Sequence, residues 1–213
     1  MALSNQHGDN RINWKVNLAV LWIGVFFAAS SYTMCVPFLP VFLLKDLGVS
    51  EADVRFWSGL VYSITFLFAA IMAPYWGAMA DKVGQKKMAI RAGVGLAITY
   101  VMSATCQNEY QFFVIRGIIG LISGFVPASM SLVSSTLPLE KTGWGMALMQ
   151  TALSSGGISG PLIGGYLSSW FGIRASFWVS SVCLTIATLL VIFLVKVVSI
   201  SEERRNRKVQ LIS

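Results

Sequence analysis

The sequence alternates between long apolar runs and short polar segments. A hydrocarbon core of about 30 Å needs roughly 20 apolar residues in a helix, so each run is long enough for one crossing. The short connections predict that consecutive helices are adjacent and antiparallel. The runs cover approximately 17–44, 56–80, 88–105, 112–134, 143–169 and 175–198. The pattern predicts an all-α membrane protein with six transmembrane helices.

Positive charge lies mostly on one side of this predicted bundle. The biased side carries Arg11, Lys15, Lys82, Lys86, Lys87, Arg91, Lys141, Lys196, Arg204, Arg205, Arg207 and Lys208. The opposite side carries Lys45, Arg55 and Arg174. Because Lys and Arg are enriched in cytoplasmic loops, we expect both termini in the cytoplasm and a multi-pass protein of the cell (plasma) membrane.

This layout predicts three parts of the chain. They are a cytoplasmic N-terminus at 1–16, the six-helix bundle at 17–198 and a basic cytoplasmic tail at 199–213. The polar N-terminal segment precedes a full-length apolar run, which is not the pattern of a cleavable signal peptide.

Composition agrees with a membrane protein and excludes several other classes. Hydrophobic residues make up 55% of the chain and charged residues only 12%, against about 25% charged in soluble domains. The net charge of +7 is explained by topology, so we expect no nucleic-acid partner. Cys35, Cys106 and Cys183 lie in or beside apolar runs without CxxC spacing. This predicts no disulfide framework, no metal site and no cofactor.

Glycine and proline are concentrated in the first, fourth and fifth runs. Pro37 and Pro40 should bend or unwind the outer third of the first run. Irregular backbone is tolerated at membrane depth only where protein or a water cavity covers it. We therefore expect these three runs to face an interior, and the third and sixth to be more peripheral.

The fifth run contains a ridge without side chains. Gly156, Gly160 and Gly164 are each four residues apart, and Pro161 and Gly165 lie beside them. Residues at this spacing share one helix face, so the ridge predicts very close packing against a neighbouring helix.

The turn between the second and third runs reads GAMADKVGQKK over residues 77–87. Its frame consists of Gly77, Asp81, Lys82, Gly84, Lys86 and Lys87. Gly77 should allow close packing at the end of the second run, and Gly84 should allow a tight turn at positive φ. Asp81 is expected to pair with a neighbouring base or to lie at a helix N-terminus.

Arg116 is the charge that this pattern places inside a span. It begins the segment RGIIGLISG, with Gly120 and Gly124 on the same helical face. A guanidinium in hydrocarbon costs from about 3 to over 10 kcal/mol, so Arg116 must face a cavity or find a partner. The alternative is that the span begins later and Arg116 snorkels outward.

These three features together resemble the major facilitator superfamily. The frame at 77–87 is similar to its signature loop, with Lys82 in place of the usual Arg and Gln85 in place of a basic residue. Arg116 is similar to the arginine of the fourth-helix motif, which in the family is associated with proton coupling. The segment 156–165 resembles the fifth-helix motif of its drug:proton antiporters. The resemblance implies an exporter.

Transporters of this superfamily have two six-helix halves around a midplane site, and 213 residues hold one half. The resemblance implies the N-terminal half of a proton-coupled efflux transporter for drug-like amphipathic molecules. Its partners would be the lipid bilayer, a small-molecule substrate, protons and a second six-helix bundle, either a missing half or another chain. Arg116 would serve coupling, the turn at 77–87 would form an inner gate, and the glycine ridge would form a packing seam.

The same residues leave other possibilities open. A metabolite importer or facilitator of the same fold, or a six-helix product without transport, would share this layout. No Asp or Glu lies within the predicted spans, so the coupling acid is in the second half or at an edge, with Asp81 or Glu109 as candidates. Ser159 lies in a Gly-x-Ser-Gly segment like that of intramembrane proteases, but His7 is the only histidine and is remote. We therefore expect no enzyme.

Overall fold

The computed structural model describes residues 14–195, and all of its regular elements are helical. They are α1 (Trp14–Cys35), a 3-10 turn (Val36–Phe38), α2 (Leu39–Lys45), α3 (Val54–Val83), α4 (Gln85–Thr105), α5 (Glu109–Ile122), α6 (Phe125–Thr136), α7 (Leu139–Phe171) and α8 (Ile173–Leu194). The predicted all-α class is confirmed. The basic tail at 199–213 and most of the N-terminal segment lie outside the described residues.

The elements correspond to six predicted spans, because α1 with α2 and α5 with α6 each make one. By length and composition, five segments can cross a membrane: Trp14–Lys45, Val54–Val83, Gln85–Thr105, Glu109–Thr136 and Ile173–Leu194. The remaining one, α7, has 33 residues and is about 50 Å long at 1.5 Å per residue. Its glycines and serines make it less apolar than the other five.

The core lies where α1, α2, α4, α5 and α8 meet. Phe42, Phe112 and Phe177 are fully buried, and their rings meet edge to face at centroid distances of 5.0–6.0 Å. Aromatic pairs prefer this geometry. Helix α1 packs most extensively against α7 and α8, and it also contacts α6.

Burial differs from the expectation that the third run is peripheral. Half of the apolar window of α4 is buried, whereas only 11% of that of α3 is buried. Gly93 on α4 explains part of this burial, since a Cβ there would lie 2.1 Å from Thr188 Oγ1 of α8, and Ala89 and Ala92 are fully buried as well. The apolar face of α3 has few contacts within the described part of the chain.

The first span changes its helix type near its two prolines. Helix α1 ends at Cys35, Pro37 lies in the 3-10 turn, and Pro40 lies in the first turn of α2. Proline is tolerated in a first turn because the missing N–H has no helical acceptor there. The hydroxyl of Tyr62 donates to the carbonyl of Val36, which satisfies one backbone group at the interruption.

The fourth span is not the continuous helix that the sequence predicts. Helix α5 ends at Ile122 and α6 begins at Phe125, with Ser123 and Gly124 between them. Gly124 has φ = +140°, a conformation that glycine adopts readily and other residues rarely do. Pro127 lies in the first turn of α6, where it costs no hydrogen bond. The interruption therefore has a local sequence cause.

Candidate functional site

A cavity of about 640 Å³ lies beside the break in the fourth span. Its walls come from α1, α3, α4, α5, α6 and α8 and are mostly apolar. Aromatic side chains form a large part of the lining: Tyr32, Phe66, Trp76, Tyr100 and Phe125. Asp81 and Arg91 are the charged residues that line it. A mostly apolar cavity with a few polar groups is suited to an amphipathic small molecule.

Arg91 and Trp76 meet at one wall of this cavity. The guanidinium carbon of Arg91 lies 3.4 Å from the Trp76 ring centroid, and its Nη2 donates to the Ile122 carbonyl at 3.1 Å. Trp76 Nε1 donates to the Leu121 carbonyl at 2.7 Å. Charge patterning assigns Arg91 to the loop, but the structure places it inside α4 and half-buried. The signal in the sequence that Arg91 belongs to a span is its position inside the apolar run 88–105.

Arg116 is buried in α5, with only 2% of its surface exposed. Its backbone carbonyl accepts a hydrogen bond from Thr65 Oγ1 at 3.2 Å, and its guanidinium carbon lies 5.1 Å from the Phe112 ring centroid. Its Nε and Nη2 are buried and have no hydrogen-bond partner among residues 14–195. Arg116 therefore does not snorkel outward, and its charge is not neutralised by an ion pair within the described chain.

Arg116 is connected to the cavity wall through α3. Thr65, which contacts the Arg116 backbone, is a lining residue. The cavity thus runs from Asp81 and Arg91 towards the surroundings of Arg116.

Glycines that were predicted to lie on one face with Arg116 have two different roles. A Cβ at Gly120 would lie 2.4 Å from the Thr65 carbonyl oxygen, so Gly120 allows α5 and α3 to touch. Gly124 lies in the break and not on the helix. The prediction of a shared helical face is wrong for Gly124, because its backbone has left the helical conformation.

The turn between α3 and α4 is a single residue, Gly84, with φ = +102°. No described neighbouring atom lies within 4 Å of the position where a Cβ of Gly77 would be, so the close packing predicted at Gly77 does not occur within residues 14–195. Asp81 is exposed and forms no ion pair within 14–195, where the ion pair present joins Arg174 and Asp46 at 3.3 Å.

The basic residues of this turn do not form one cluster. Lys86 Nζ donates to the carbonyls of Ile192 and Val195 at 3.0 and 2.6 Å, so it caps the end of α8. Lys82 and Lys87 are exposed. Gln85, adjacent to Lys86, accepts a hydrogen bond from the Ser135 hydroxyl of α6 at 3.0 Å.

The glycine ridge of α7 packs against α1. A Cβ would lie 2.8 Å from the Ala29 Cβ at Gly156, 2.0 Å from Thr33 Oγ1 at Gly160 and 2.3 Å from the Met34 carbonyl at Gly164. Thr33 Oγ1 donates to the Gly156 carbonyl at 3.1 Å across this seam. Gly165 is less crowded, with its nearest neighbour at 3.5 Å, and Pro161 lies within a helix that continues on both sides.

The predicted site residues therefore occupy separate places. The α1–α7 seam, the α3–α4 turn and Arg116 do not converge on one point. Ser159, on the same helix as the seam, shares a hydrogen bond of 3.1 Å with the Ser30 hydroxyl. No group of three His, Cys, Asp or Glu residues within 14–195 is placed to hold a metal ion.

Known proteins resemble this chain in sequence. It is 39% identical over 189 residues to the multidrug resistance protein MdtG of Klebsiella pneumoniae (strain 342), an alignment that covers 88% of this chain and 46% of that protein. The MdtG protein of Salmonella arizonae is 40% identical over 189 residues, with the same coverage. The chain spans about half the length of the curated relatives it matches.

Solved structures show the same fold. The human organic anion transporter MFSD10 superposes with a TM-score of 0.73 at 20% identity, covering 86% of this chain and 48% of that one. The E. coli fucose:proton symporter superposes with a TM-score of 0.70 at 13% identity, covering 85% and 43%. Residues 21–211 match the Major Facilitator Superfamily. The predicted family is confirmed, and the chain belongs to the Major Facilitator Superfamily.

Proposed function

We propose that this chain is one six-helix half of a secondary transporter that exports amphipathic small molecules in exchange for protons. The observation that carries the proposal is the aromatic-lined cavity beside the discontinuous fourth span. Discontinuous helices are typical of substrate sites in secondary transporters. The likeness to the MdtG multidrug resistance proteins supports drug-like compounds as the substrate class.

A second six-helix bundle completes the transporter in this proposal. Two exposed apolar faces support it: α3 exposes Phe66, Leu67, Ile71 and Tyr75, and α7 exposes Ile158, Leu162 and Tyr166. The second bundle would be either the remainder of a longer chain or a separate chain. The excess of Lys and Arg on one side supports a plasma-membrane protein with the α3–α4 turn in the cytoplasm.

Arg116 serves proton coupling in this proposal. Its charge is unpaired within the described chain, so a carboxylate elsewhere would gain a strong partner when it ionises. Asp81, at the cavity, and Glu109, at the start of α5, are the candidate acids on this chain. The exposed turn residues Asp81 and Lys87 act at the inner gate, where Gly84 sets the turn.

The α1–α7 seam provides the sharpest test of the export proposal. In Gly160→Leu even the added Cβ would lie 2.0 Å from Thr33 Oγ1. In Gly157→Leu the added Cβ would have no described neighbour within 4 Å. Both variants are placed in a fusion of this chain to the part of the Klebsiella relative that it does not match. We expect Gly160→Leu to abolish drug resistance and dye export while membrane insertion persists, and Gly157→Leu to retain both activities.

Unchanged resistance with Gly160→Leu would contradict a functional seam. Substrate-driven entry without any resistance phenotype would indicate an importer or facilitator. Absence of flux from the wild-type fusion in reconstituted vesicles would contradict transport itself.

A further inference from the structure

We infer that Arg91, together with Trp76, is a positioning residue that holds the break in the fourth span and so sets the shape of the cavity. The Arg91 side chain and the indole bind the carbonyl end of α5 from two other helices. The inference concerns a residue that the family motifs at 77–87, 116 and 156–165 do not include. Of the experiments described below, only the transport measurement rests on the proposed function.

The first support is a complete account of the hydrogen bonds at the end of α5. The last four carbonyls of any helix lack partners within the helix, and unpaired ones are costly at membrane depth. Ser123 satisfies two of them locally, because its N–H donates to Ile119 at 2.9 Å and its hydroxyl to Gly120 at 2.8 Å. The other two, Leu121 and Ile122, receive their hydrogen bonds from Trp76 and Arg91.

The second support is the electrostatics of this contact. Aligned peptide dipoles leave partial negative charge at a helix C-terminus, where a cation is stabilising. Arg91 brings its positive charge to the final α5 carbonyl and also lies over the face of Trp76 at 3.4 Å. The two side chains thus hold each other as well as the helix end.

The third support is the place of the contact in the cavity. Trp76 comes from α3, Arg91 from α4 and the accepting carbonyls from α5, so one contact joins three helices. Trp76, Arg91, Ser123 and Gly124 all line the cavity. Beyond the break α6 packs against α4 and α1, whereas α5 packs mainly against α3. A shift of the break would therefore move one cavity wall relative to another.

This role requires arginine and not simply positive charge. A planar guanidinium can stack on an indole and donate in its own plane at the same time, whereas a lysine ammonium cannot keep both contacts. If Arg91 contributed only a positive charge near the cytoplasmic loop, Arg91→Lys would have no effect. The two explanations therefore make opposite predictions for this one substitution.

Hydrogen exchange of the purified 213-residue chain in lipid nanodiscs tests the inference directly. We expect Arg91→Lys to raise exchange of the amides in 123–128 by about tenfold, the effect of losing roughly one charged hydrogen bond. Trp76→Phe keeps a ring but loses the N–H donor, and it should raise exchange in the same segment. The matched control is Arg55→Lys, an exposed arginine elsewhere on α3, which should leave that segment within twofold of wild type.

The double variant and the distribution of the effect decide the outcome. Because both side chains hold the same helix end, Arg91→Lys combined with Trp76→Phe should increase exchange by less than the product of the single effects. Wild-type exchange at 123–128 in Arg91→Lys would overturn the inference. So would an equal rise in all segments, including α8, since it would indicate general destabilisation. If Arg91→Lys does not fold, Trp76→Phe alone decides by the same criterion.

A transport measurement in the fusion protein provides a second readout. Displacement of a cavity wall should raise the substrate concentration for half-maximal export by several-fold in Arg91→Lys, with Arg55→Lys unchanged. An unchanged half-saturation concentration would contradict control of cavity shape. Absence of export by the wild-type fusion would refute the proposed function and leave the exchange result to decide the role of Arg91.

Discussion

Replacing the buried Arg116 should stabilise the isolated bundle. Its Nε and Nη2 have no partner within 14–195, and each unsatisfied buried N–H costs about 1–3 kcal/mol. The cation–π contact with the Phe112 ring, whose centroid is 5.1 Å from the guanidinium carbon, offsets about 0.5–2 kcal/mol of this cost. Methionine retains most of the packing without charge. We therefore expect Arg116→Met to raise the free energy of unfolding by about 1–4 kcal/mol, the range found for apolar replacement of buried charges.

Arg174 provides the matched control because each of its three guanidinium nitrogens has a hydrogen-bond partner. Its Nε lies 3.3 Å from Asp46 Oδ1, and its Nη1 donates to the Ala104 carbonyl at 2.8 Å. The pair is partly exposed, so Arg174→Met should lower the free energy of unfolding by only about 1 kcal/mol. The two arginine-to-methionine changes thus have opposite expected signs.

The assay is equilibrium unfolding of the purified chain in mixed micelles at increasing mole fraction of SDS, followed by circular dichroism. If Arg116→Met is less stable than wild type by as much as Arg174→Met, the guanidinium has a partner in the folded chain and the reasoning is refuted. In the fusion protein the same Arg116→Met change should abolish proton-driven export. Stability and activity would then respond in opposite directions, as expected of a site kept for function.

Three further predictions follow from single contacts. Lys86→Met removes the cap of α8 and should raise hydrogen exchange at 190–195 several-fold, whereas the exposed Lys87→Met should not. Gly120→Ala places a Cβ 2.4 Å from a backbone oxygen of α3 and should lower the free energy of unfolding in SDS titration by about 1–3 kcal/mol, whereas Gly59→Ala, without a described neighbour within 4 Å, should not lower it. Burial raises the pKa of the Cys106 thiol to about 11, so its labelling by maleimide should be slow at pH 7 and increase about tenfold per pH unit up to pH 10. Because the unfolded thiol ionises first, this shift should also reduce stability as pH rises from 9 to about 11; flat labelling or flat stability would contradict the burial.

The large-scale architecture can be predicted from the sequence because it depends on the length and hydrophobicity of the apolar runs. A span needs about 20 apolar residues whatever its neighbours are, so the six runs were visible without tertiary information. Gly84 was identifiable as a turn because only a short segment separates two runs. The spacing of Gly156, Gly160 and Gly164 predicted a close contact, although not that α1 would be the partner.

The break in the fourth span cannot be predicted from the sequence because it depends on backbone conformation. Gly120 and Gly124 have the spacing of a continuous packing ridge, and the positive φ of Gly124 does not change the pattern of apolar and small residues. The role of Arg91 cannot be predicted for a related reason. Arg91 follows three lysines of a basic loop, and the excess of positive charge on the cytoplasmic side is enough to explain a cation there. Its partners, Trp76 and the Ile122 carbonyl, come from distant segments of the chain.

The central claim is that this chain is half of a proton-coupled exporter. Its most direct test is uptake of an amphipathic fluorescent dye into inverted membrane vesicles that contain the fusion to the second half of the Klebsiella relative. The proposal predicts accumulation that depends on an acidic vesicle interior, that a protonophore abolishes and that Gly160→Leu eliminates. Dye entry that ignores the proton gradient, or no accumulation above empty vesicles, would contradict it.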